Sequence, residues 1–278
     1  MQHGDFSSME MQLLAKAAAA KAVGKSASLE TDIALAAPLK SISGFRTGPG
    51  ESRLKDEQLV HLKKALKEIR FRDDSTHGDI KTLKIDITNA RVLPELAAVL
   101  EVIPTEYEKY SLIQWGHGDL QVISINEGQI IGEPYSSPGL WSAIRYFQKI
   151  TGLEPSEAQR AFRTGFRYNG KMTAKISCED EIRQSIQHHI LTDMAPILNN
   201  IKKNDQKNVV VSGGSVHEKV AMEILKNECS SRSLKLHEIQ DLEGVDVDPV
   251  FTCLAGLRKF GKLRLDIGHS ALKAELEF

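Results

Sequence analysis

Hydrophobic and polar residues alternate with the period of a β-strand in two places, and each place contains a glycine turn. Residues 111–128 read as an apolar strand, the turn Gly116-His117-Gly118, an alternating strand and a second tight turn. Residues 263–278 read as a strand, a turn from Asp266 to Ser270 and a return strand. Glycines in such turns let backbone N–H groups approach an anion closely, because no Cβ intervenes. Two similar hairpins in one chain suggest two turns that bind the same nucleotide.

The remaining pattern changes between helical and extended periods. Helices are predicted at residues 8–23, 56–69, from 94 onward, 139–150, 179–202, 217–228 and 249–260. Strands are predicted at residues 32–39, 83–87 and 209–211, and residues 134–138 are predicted to form a loop. Pro196 is expected to kink the long helix, and Arg160, Arg163 and Arg167 are interpreted as a solvated helix face.

A third motif joins a predicted strand to a predicted helix. The apolar residues 209–211 run directly into Ser212-Gly213-Gly214-Ser215. Glycines between the end of a strand and the N-terminus of a helix create a place where part of a nucleotide can bind.

Composition narrows the classes of protein to consider. A chain of 278 residues with 41% hydrophobic and 26% charged residues can bury a core and is expected to form two lobes. Its formal net charge of -1 offers no electrostatic reason to bind nucleic acid or membranes directly. The three cysteines form no CxxC pair, which argues against a disulfide framework or thiolate metal site and fits a reducing cytoplasm.

The three motifs together resemble the actin-like ATPases, and among them the plasmid-segregation filament proteins of the ParM or StbA type. Residues 265–273, LDIGHSALK, resemble the first phosphate hairpin of that superfamily, and residues 113–128 resemble the second. Residues 209–215 resemble its adenosine-binding element, and residues 248–256 its last helix on the nucleotide side. Residues 91–95 are similar to the segment where ParM proteins place a water-orienting glutamate. The resemblance covers nearly the whole chain.

The resemblance implies an α/β fold of the actin-like, ribonuclease H-like kind, with two lobes of mixed sheets flanked by helices. The first lobe would comprise residues 1–110 and 261–278, and the second residues 111–260, with 153–204 as a helical outer subdomain. The first phosphate hairpin begins such proteins but ends this chain, as expected after a circular permutation. The first lobe would also be trimmed, because the residues that normally follow that hairpin have no counterpart.

The resemblance also assigns site residues. Glu95, Gln114 and Asp266 would be catalytic, with Asp266 reaching Mg²⁺ through water. The implied nucleotide contacts are Gly116, His117, Gly118, Gly213, Gly214, Ser215, Gly268, His269, Ser270 and Lys273. Structural alternatives remain: Asp266 as a strand-end cap, Lys273 as an exposed strand lysine and Glu95 as a helix-start carboxylate. His117 and His269 could share a metal ion, whereas His188 and His189 are expected on a helix surface.

Gln114 departs from the family, which has an aspartate there. An amide can orient water but contributes no charge to Mg²⁺, so nucleotide binding is a safer expectation than turnover. The implied function is an ATP-binding (or GTP-binding) filament protein that uses Mg²⁺, hydrolyses ATP and segregates plasmid DNA through a DNA-binding adaptor, without direct DNA or membrane contact. Alternatives are a nucleotide-binding scaffold without hydrolysis and, less favoured, a sugar or metabolite kinase.

Overall fold

The computed structural model describes residues 6–37, 56–72, 78–105, 107–168, 174–267 and 272–277. The chain divides into two compact units. The first unit comprises Met1–Pro104 and Gly244–Phe278, and the second comprises Thr105–Glu243. Residues 244–260, which the sequence pattern assigned to the second lobe, therefore group with the first unit.

The first unit is built around a five-stranded sheet in the order β12-β11-β1-β3-β2. Its strands are β1 (Ala27–Ala37), β2 (Ile69–Phe71), β3 (Lys81–Pro94), β11 (Leu263–Ile267) and β12 (Leu272–Leu276). Its helices are α1 (Met9–Val23), α2 (Asp56–Leu66), α3 (Glu95–Leu100) and the single turn α9 (Thr252–Gly256).

Helix α1 begins and ends where the sequence predicts. Ser8 accepts a hydrogen bond from the N–H of Met11 at 3.2 Å, and Gly24 ends the helix with a φ of +68°. Its buried side chains are mostly alanines, and they share one core with Ile33 and Leu265 of the sheet. Small side chains let the helix lie close to the strands.

The C-terminal hairpin joins this sheet beside β1. β11 pairs in parallel with β1, Ile33 opposite Leu263 and Ala36 opposite Asp266, and β12 pairs antiparallel with β11. The prediction that residues 263–278 form paired strands next to residues 32–39 is confirmed for the described strands. β1 itself begins earlier than predicted, at Ala27.

The second unit contains a five-stranded sheet in the order β10-β9-β4-β5-β6 and a small two-stranded sheet, β7-β8. The strands are β4 (Lys109–Trp115), β5 (Asp119–Asn126), β6 (Gln129–Pro138), β7 (Phe166–Tyr168), β8 (Lys175–Ser177), β9 (Asn208–Ser212) and β10 (Lys235–Glu238). The helices are α4 (Trp141–Thr151), α5 (Pro155–Thr164), α6 (Glu179–His189), α7 (Ala195–Lys203) and α8 (Lys219–Ser231). Trp115, Phe147, Ile190 and Val211 belong to one core between this sheet and its helices.

One predicted helix boundary and one predicted loop are wrong. Ile69 does not extend the stripe of α2 but begins β2 and pairs with Leu83 of β3, where its β-branched side chain is buried against the sheet. Residues 134–138 are not loop but the end of β6. Pro134 fits there because β6 is an edge strand, where a missing N–H leaves no partner unpaired.

Three predicted helices are interrupted. Gly165, with a φ of +77°, ends α5, so Arg167 lies on β7 instead of continuing the helical arginine row. The long helix at 179–202 contains a π turn at Ile190–Met194 immediately before α7, whose first turn holds Pro196. Residues 249–260 form one α turn between two 3₁₀ turns.

None of the helices in the described part of the chain combines the length and apolar character that a membrane crossing requires.

Candidate functional site

In the second unit, the turn between β4 and β5 is held by hydrogen bonds that converge on Gly116. Its carbonyl accepts bonds from the N–H of Leu140 and from the Ser215 hydroxyl, both at 3.1 Å. Its own N–H donates to the carbonyl of Asp119 at 2.9 Å. Two segments remote in sequence, at Leu140 and at Ser215, therefore fix the turn that was expected to contact phosphate.

Two glycines allow these segments to approach. A Cβ on Gly139 would lie 2.4 Å from the Gly116 carbonyl oxygen, and one on Gly213 would lie 2.5 Å from the carbonyl oxygen of Trp115. Gly213 also has a φ of +102°, which side-chain-bearing residues rarely adopt. The sequence reasoning found Gly213 but missed Gly139, although the Pro138-Gly139 pair marks a turn. Gly214 begins a 3₁₀ turn, Gly214–His217, and α8 starts only at Lys219.

His117 is half-buried at the tip of this turn. Its backbone carbonyl accepts a hydrogen bond from the N–H of Trp141 at 2.7 Å, and the ring centroids of His117 and Trp141 lie 5.4 Å apart. Burial, with a smaller contribution from the Arg163 guanidinium, lowers the pKa of His117 below its ordinary value. The environment of the turn therefore favours the neutral form of this imidazole.

One face of the hairpin is polar next to the turn. Gln114 pairs with Gln121 on β5 and with Ser212 on β9, so its amide lies at the carboxyl ends of two parallel strands. The buried Gln121 amide donates to the Asp119 carboxylate at 2.8 Å. Asp119 was missed by the sequence reasoning, although it directly follows Gly118. It is a carboxylate on the same strand face as Gln114, because residues 119 and 121 of β5 share a face.

In the first unit, Asp266 and Lys273 face each other across the C-terminal hairpin. The Lys273 ammonium lies 3.3 Å from the Asp266 carboxylate, donates to the carbonyl of Val250 and lies 5.8 Å from the Phe251 ring centroid. Burial raises the pKa of the Asp266 carboxyl, and the Lys273 charge opposes that rise. The lysine side chain is only 20% exposed, so it is a paired group and not a free surface lysine.

Glu95 lies at the same edge of the first unit's sheet as Asp266. It is buried and is the first residue of α3, with Pro94 as the N-cap instead of the first helical residue predicted. In the sheet, Ala36 of β1 pairs with both Asp266 of β11 and Leu93 of β3. Asp266 lies near the end of β11 and Glu95 directly follows β3, two strands that are roughly 10 Å apart at about 4.8 Å per strand. Both residues lie at the carboxyl ends, where open α/β sheets bind ligands.

Some predicted residues lie outside the description, and one assignment is wrong. Gly268, His269 and Ser270 are outside the described residues. Within the described part, no cluster of three or more histidine, cysteine or acidic side chains could hold a metal ion. His188 is exposed and stacks on Tyr146, but His189 is fully buried and bonds to Asp193 at 2.8 Å. The sequence pattern missed this because the covering residue, Trp115, is distant in sequence.

No protein-family model matches the chain, and no curated protein matches it in sequence. Among solved structures it is similar to Ta0583, an archaeal actin homolog, with 18% identity, a TM-score of 0.57, and 92% of this chain and 77% of that chain covered. The complex of Ta0583 with ADP matches at 17% identity and a TM-score of 0.54, over 93% and 81% of the two chains.

Two further solved structures match at similar levels. ParM from Bacillus thuringiensis with ATP matches at 15% identity and a TM-score of 0.56, covering 90% of this chain and 73% of that chain. The ethanolamine utilization protein EutJ from Carboxydothermus hydrogenoformans matches at 15% identity and 0.56, covering 92% and 76%. The fold is actin-like. At these identities the likeness establishes the architecture, and the role of each side chain rests on the geometry above.

Proposed function

We propose that this chain is an ATP-binding, actin-like filament protein that hydrolyses ATP slowly. The observation that carries the proposal is the turn at Gly116, where a strand end, the segment at Gly139 and the Gly213 element meet with backbone approaches that only glycine permits. Such turns present backbone N–H groups to phosphate oxygens. Solved structures of the same fold include ParM with ATP and Ta0583 with ADP.

Within each unit, separate groups are candidates for nucleotide contacts. In the second unit, residues 116–118 would hold phosphate oxygens, and Gly213, Gly214 and Ser215 would contact the nucleoside. In the first unit, Lys273 would bind a phosphate, and Gly268, His269 and Ser270 remain proposed contacts. Glu95 would orient the attacking water, because a buried carboxylate at a strand end is suited to accept its proton.

The side chains present fit a magnesium ion held partly by the nucleotide. Mg²⁺ in such sites takes one or two carboxylates together with phosphate oxygens and water, so a cluster of three acidic side chains is unnecessary. Asp266 is the carboxylate that we propose to reach the ion through water. When bound, Mg²⁺ would neutralise charge on the phosphates, and GTP could replace ATP without changing these contacts.

We further propose that the protein self-associates into filaments in the cytoplasm. These filaments would segregate plasmid DNA through a DNA-binding adaptor. The near-zero net charge supports an adaptor over direct DNA contact. The three cysteines carry buried thiols outside any disulfide, as suits a reducing compartment. The parallel pairing of β11 with β1 supports the proposal of a circular permutation, because it inserts the chain's last hairpin directly beside its first strand.

A second candidate is a nucleotide-binding scaffold without hydrolysis. Gln114 favours it, since a neutral amide occupies the strand end where the resembling proteins have an aspartate. A steady-state phosphate-release assay, run above and below the protein concentration at which light scattering rises, separates the candidates. Release that increases with scattering supports the ATPase, and binding without release supports the scaffold.

Binding itself is tested by calorimetry with ATP and Mg²⁺ on Ser215→Ala. Loss of the hydroxyl bond to the Gly116 carbonyl should weaken ATP binding by about 1 kcal/mol, or roughly 5-fold. Ser230→Ala is the matched control, because Ser230 is exposed and its hydroxyl bonds only to its own helix at Lys226. If the wild-type protein binds neither ATP nor GTP, the nucleotide assignment is wrong.

A further inference from the structure

A polar cluster in the second unit is centred on the half-buried Asp193. The Asp193 carboxylate accepts a hydrogen bond from the Ser142 hydroxyl at 2.8 Å and lies 2.8 Å from Nδ1 of His189. The hydrogen bond from His189 lowers the pKa of Asp193, and the Ser142 bond acts in the same direction. The carboxylate therefore holds two side chains from different helices as a charged acceptor.

The helical geometry around Asp193 is unusual. It lies in the π turn Ile190–Met194, where the N–H of Ala195 reaches back five residues to the carbonyl of Ile190. Single π turns are rare within helices and occur frequently at functional sites. Here the extra residue lies between His189, the last residue of α6, and Pro196 in α7.

Ser142 and His189, the two side chains that contact Asp193, are each connected to the turn at Gly116. Ser142 follows Trp141, whose N–H donates to the His117 carbonyl at 2.7 Å, and the N–H of Ser142 bonds to Gly139 at 3.0 Å. At the other end, the His189 ring lies 5.8 Å from the ring of Trp115, the residue directly before Gly116. The helices and the turn are thus joined on both sides of Gly116.

Two ring nitrogens at this junction are unsatisfied. Among the described residues, the buried Nε1 of Trp115 and Nε2 of His189 have no hydrogen-bond partner. The indole N–H can only donate a hydrogen bond, and neither ring nitrogen is paired in this arrangement. A small shift of either ring can therefore change the hydrogen bonding at this point.

We propose that Ser142, Asp193 and His189 form a clamp. The clamp positions the Gly116 turn for nucleotide binding and couples the turn to helices α6 and α7. The clamp is the set of these three residues, and they act through the turn without touching the nucleotide. Nucleotide binding at the turn shifts Trp115 against His189, and loosening the clamp weakens nucleotide binding. This inference rests on the proposed ATP-binding function.

The chain's two tryptophans provide the test, because Trp141 reports on the turn and Trp115 on the clamp. In a Trp141→Phe background, titration with ATP and Mg²⁺ should change the emission of Trp115. Adding Ser142→Ala should abolish most of that change and weaken ATP binding about 5-fold, as expected for one hydrogen bond. Asp193→Asn keeps an acceptor oxygen and should bind ATP more tightly than Asp193→Ala.

Thr192→Ala is the matched control. Thr192 lies on the same π turn, but its side chain is exposed and its hydroxyl bonds to the His188 carbonyl at 2.8 Å, so ATP binding and Trp115 emission should be unchanged. If Asp193→Ala fails to fold in thermal melts, Ser142→Ala decides the result. Unchanged affinity and an unchanged Trp115 response in Ser142→Ala would overturn the clamp and leave the proposed function intact. Absence of ATP binding in every protein, including the wild type, would overturn both.

Discussion

At the scale of single residues, the candidate site depends on how burial sets charge. Asp266 and His117 are both moved away from their ordinary pKa values chiefly by desolvation, and in both cases burial favours the neutral form. Lys273 opposes that effect at Asp266, whereas no acidic neighbour contributes to the pKa of His117. The two groups should therefore respond differently to pH.

The shift at His117 predicts a pH dependence of stability. Its folded-state pKa lies below the ordinary value of 6.5, so below pH 6.5 the unfolded chain binds more protons at this position. The free energy of unfolding contributed by His117 is complete above pH 6.5 and is lost as the pH falls toward the lowered pKa. His117→Asn should consequently lose less stability than the wild type between pH 7.5 and pH 5.5 in thermal melts.

His237 provides an internal comparison for this experiment. Burial lowers its pKa as well, so His237→Asn should reduce the same slope independently, and the double variant should reduce it further. An identical pH slope in wild type and His117→Asn would contradict the assignment of a neutral, buried imidazole at the turn.

Replacing the neutral Gln114 by an aspartate is expected to raise ATP hydrolysis. Gln114→Asp should strengthen Mg²⁺ dependence and raise phosphate release, since one well-placed group in such a site is typically worth about 10²- to 10³-fold. The buried Gln121 and the Asp119 carboxylate beside it would lie on the same strand face as the new charge. Asn126→Asp makes the same change of charge at the far end of the hairpin and should leave the rate unchanged. Turnover that stays at zero in Gln114→Asp would favour the scaffold.

At the scale of elements, the C-terminal hairpin is attached by a buried arginine. Arg264 of β11 is 2% exposed, donates to the Gly261 carbonyl at 2.9 Å and pairs with Glu275 of β12 and with Glu277 just after that strand. Because Glu275 lies directly opposite Arg264 on the neighbouring strand, this contact favours the register in which Leu263 faces Leu276. The hairpin would otherwise depend on short strands of five residues each.

Replacing this arginine should destabilise the first unit. Arg264→Leu removes the guanidinium bonds but leaves carboxylates that are partly exposed and can be hydrated, so we expect a loss of about 2 kcal/mol in urea unfolding. Arg258→Ala is the control, because Arg258 pairs with the same Glu275 but is largely exposed, and its removal should cost less than about 0.5 kcal/mol. Equal effects of the two variants would show that the buried pair does not hold the hairpin.

At the scale of the whole molecule, one unit is continuous in sequence and the other is assembled from both ends of the chain. The first unit requires residues from 244 onward to complete its sheet and to pack α9 on α3, where a Cβ on Gly256 would lie 1.7 Å from the Ala98 carbonyl oxygen. The second unit has its own sheet and core between residues 105 and 243.

This organisation predicts an asymmetric response to truncation. A chain ending at Gly261 lacks β11 and β12, so β1 loses one of its two parallel neighbours and becomes an edge strand, and the first unit should unfold. The second unit should stay folded, and limited proteolysis with mass spectrometry should recover a protected fragment near residues 105–243. Protection of residues 6–104 in the truncated protein would contradict the role assigned to the hairpin.

The sequence by itself determined the features that depend on neighbours along the chain. The two hairpins, the limits of α1 between Ser8 and Gly24, and the Gly213 element follow from local periodicity and from glycine's access to positive φ. The resemblance of these motifs to the actin-like proteins correctly indicated the fold. It also indicated that the last hairpin would lie beside the first predicted strand.

Only the tertiary structure decided what distant segments do to one another. Ile69 became a strand residue because β3 was available to pair with it, and His189 became a core residue because Trp115 covers it. Asp119 and Gly139 acquired their importance from the Gly116 turn they pack against. Each of these outcomes depends on burial between segments that are remote in sequence, and periodicity records which faces are apolar but not which partner will cover them.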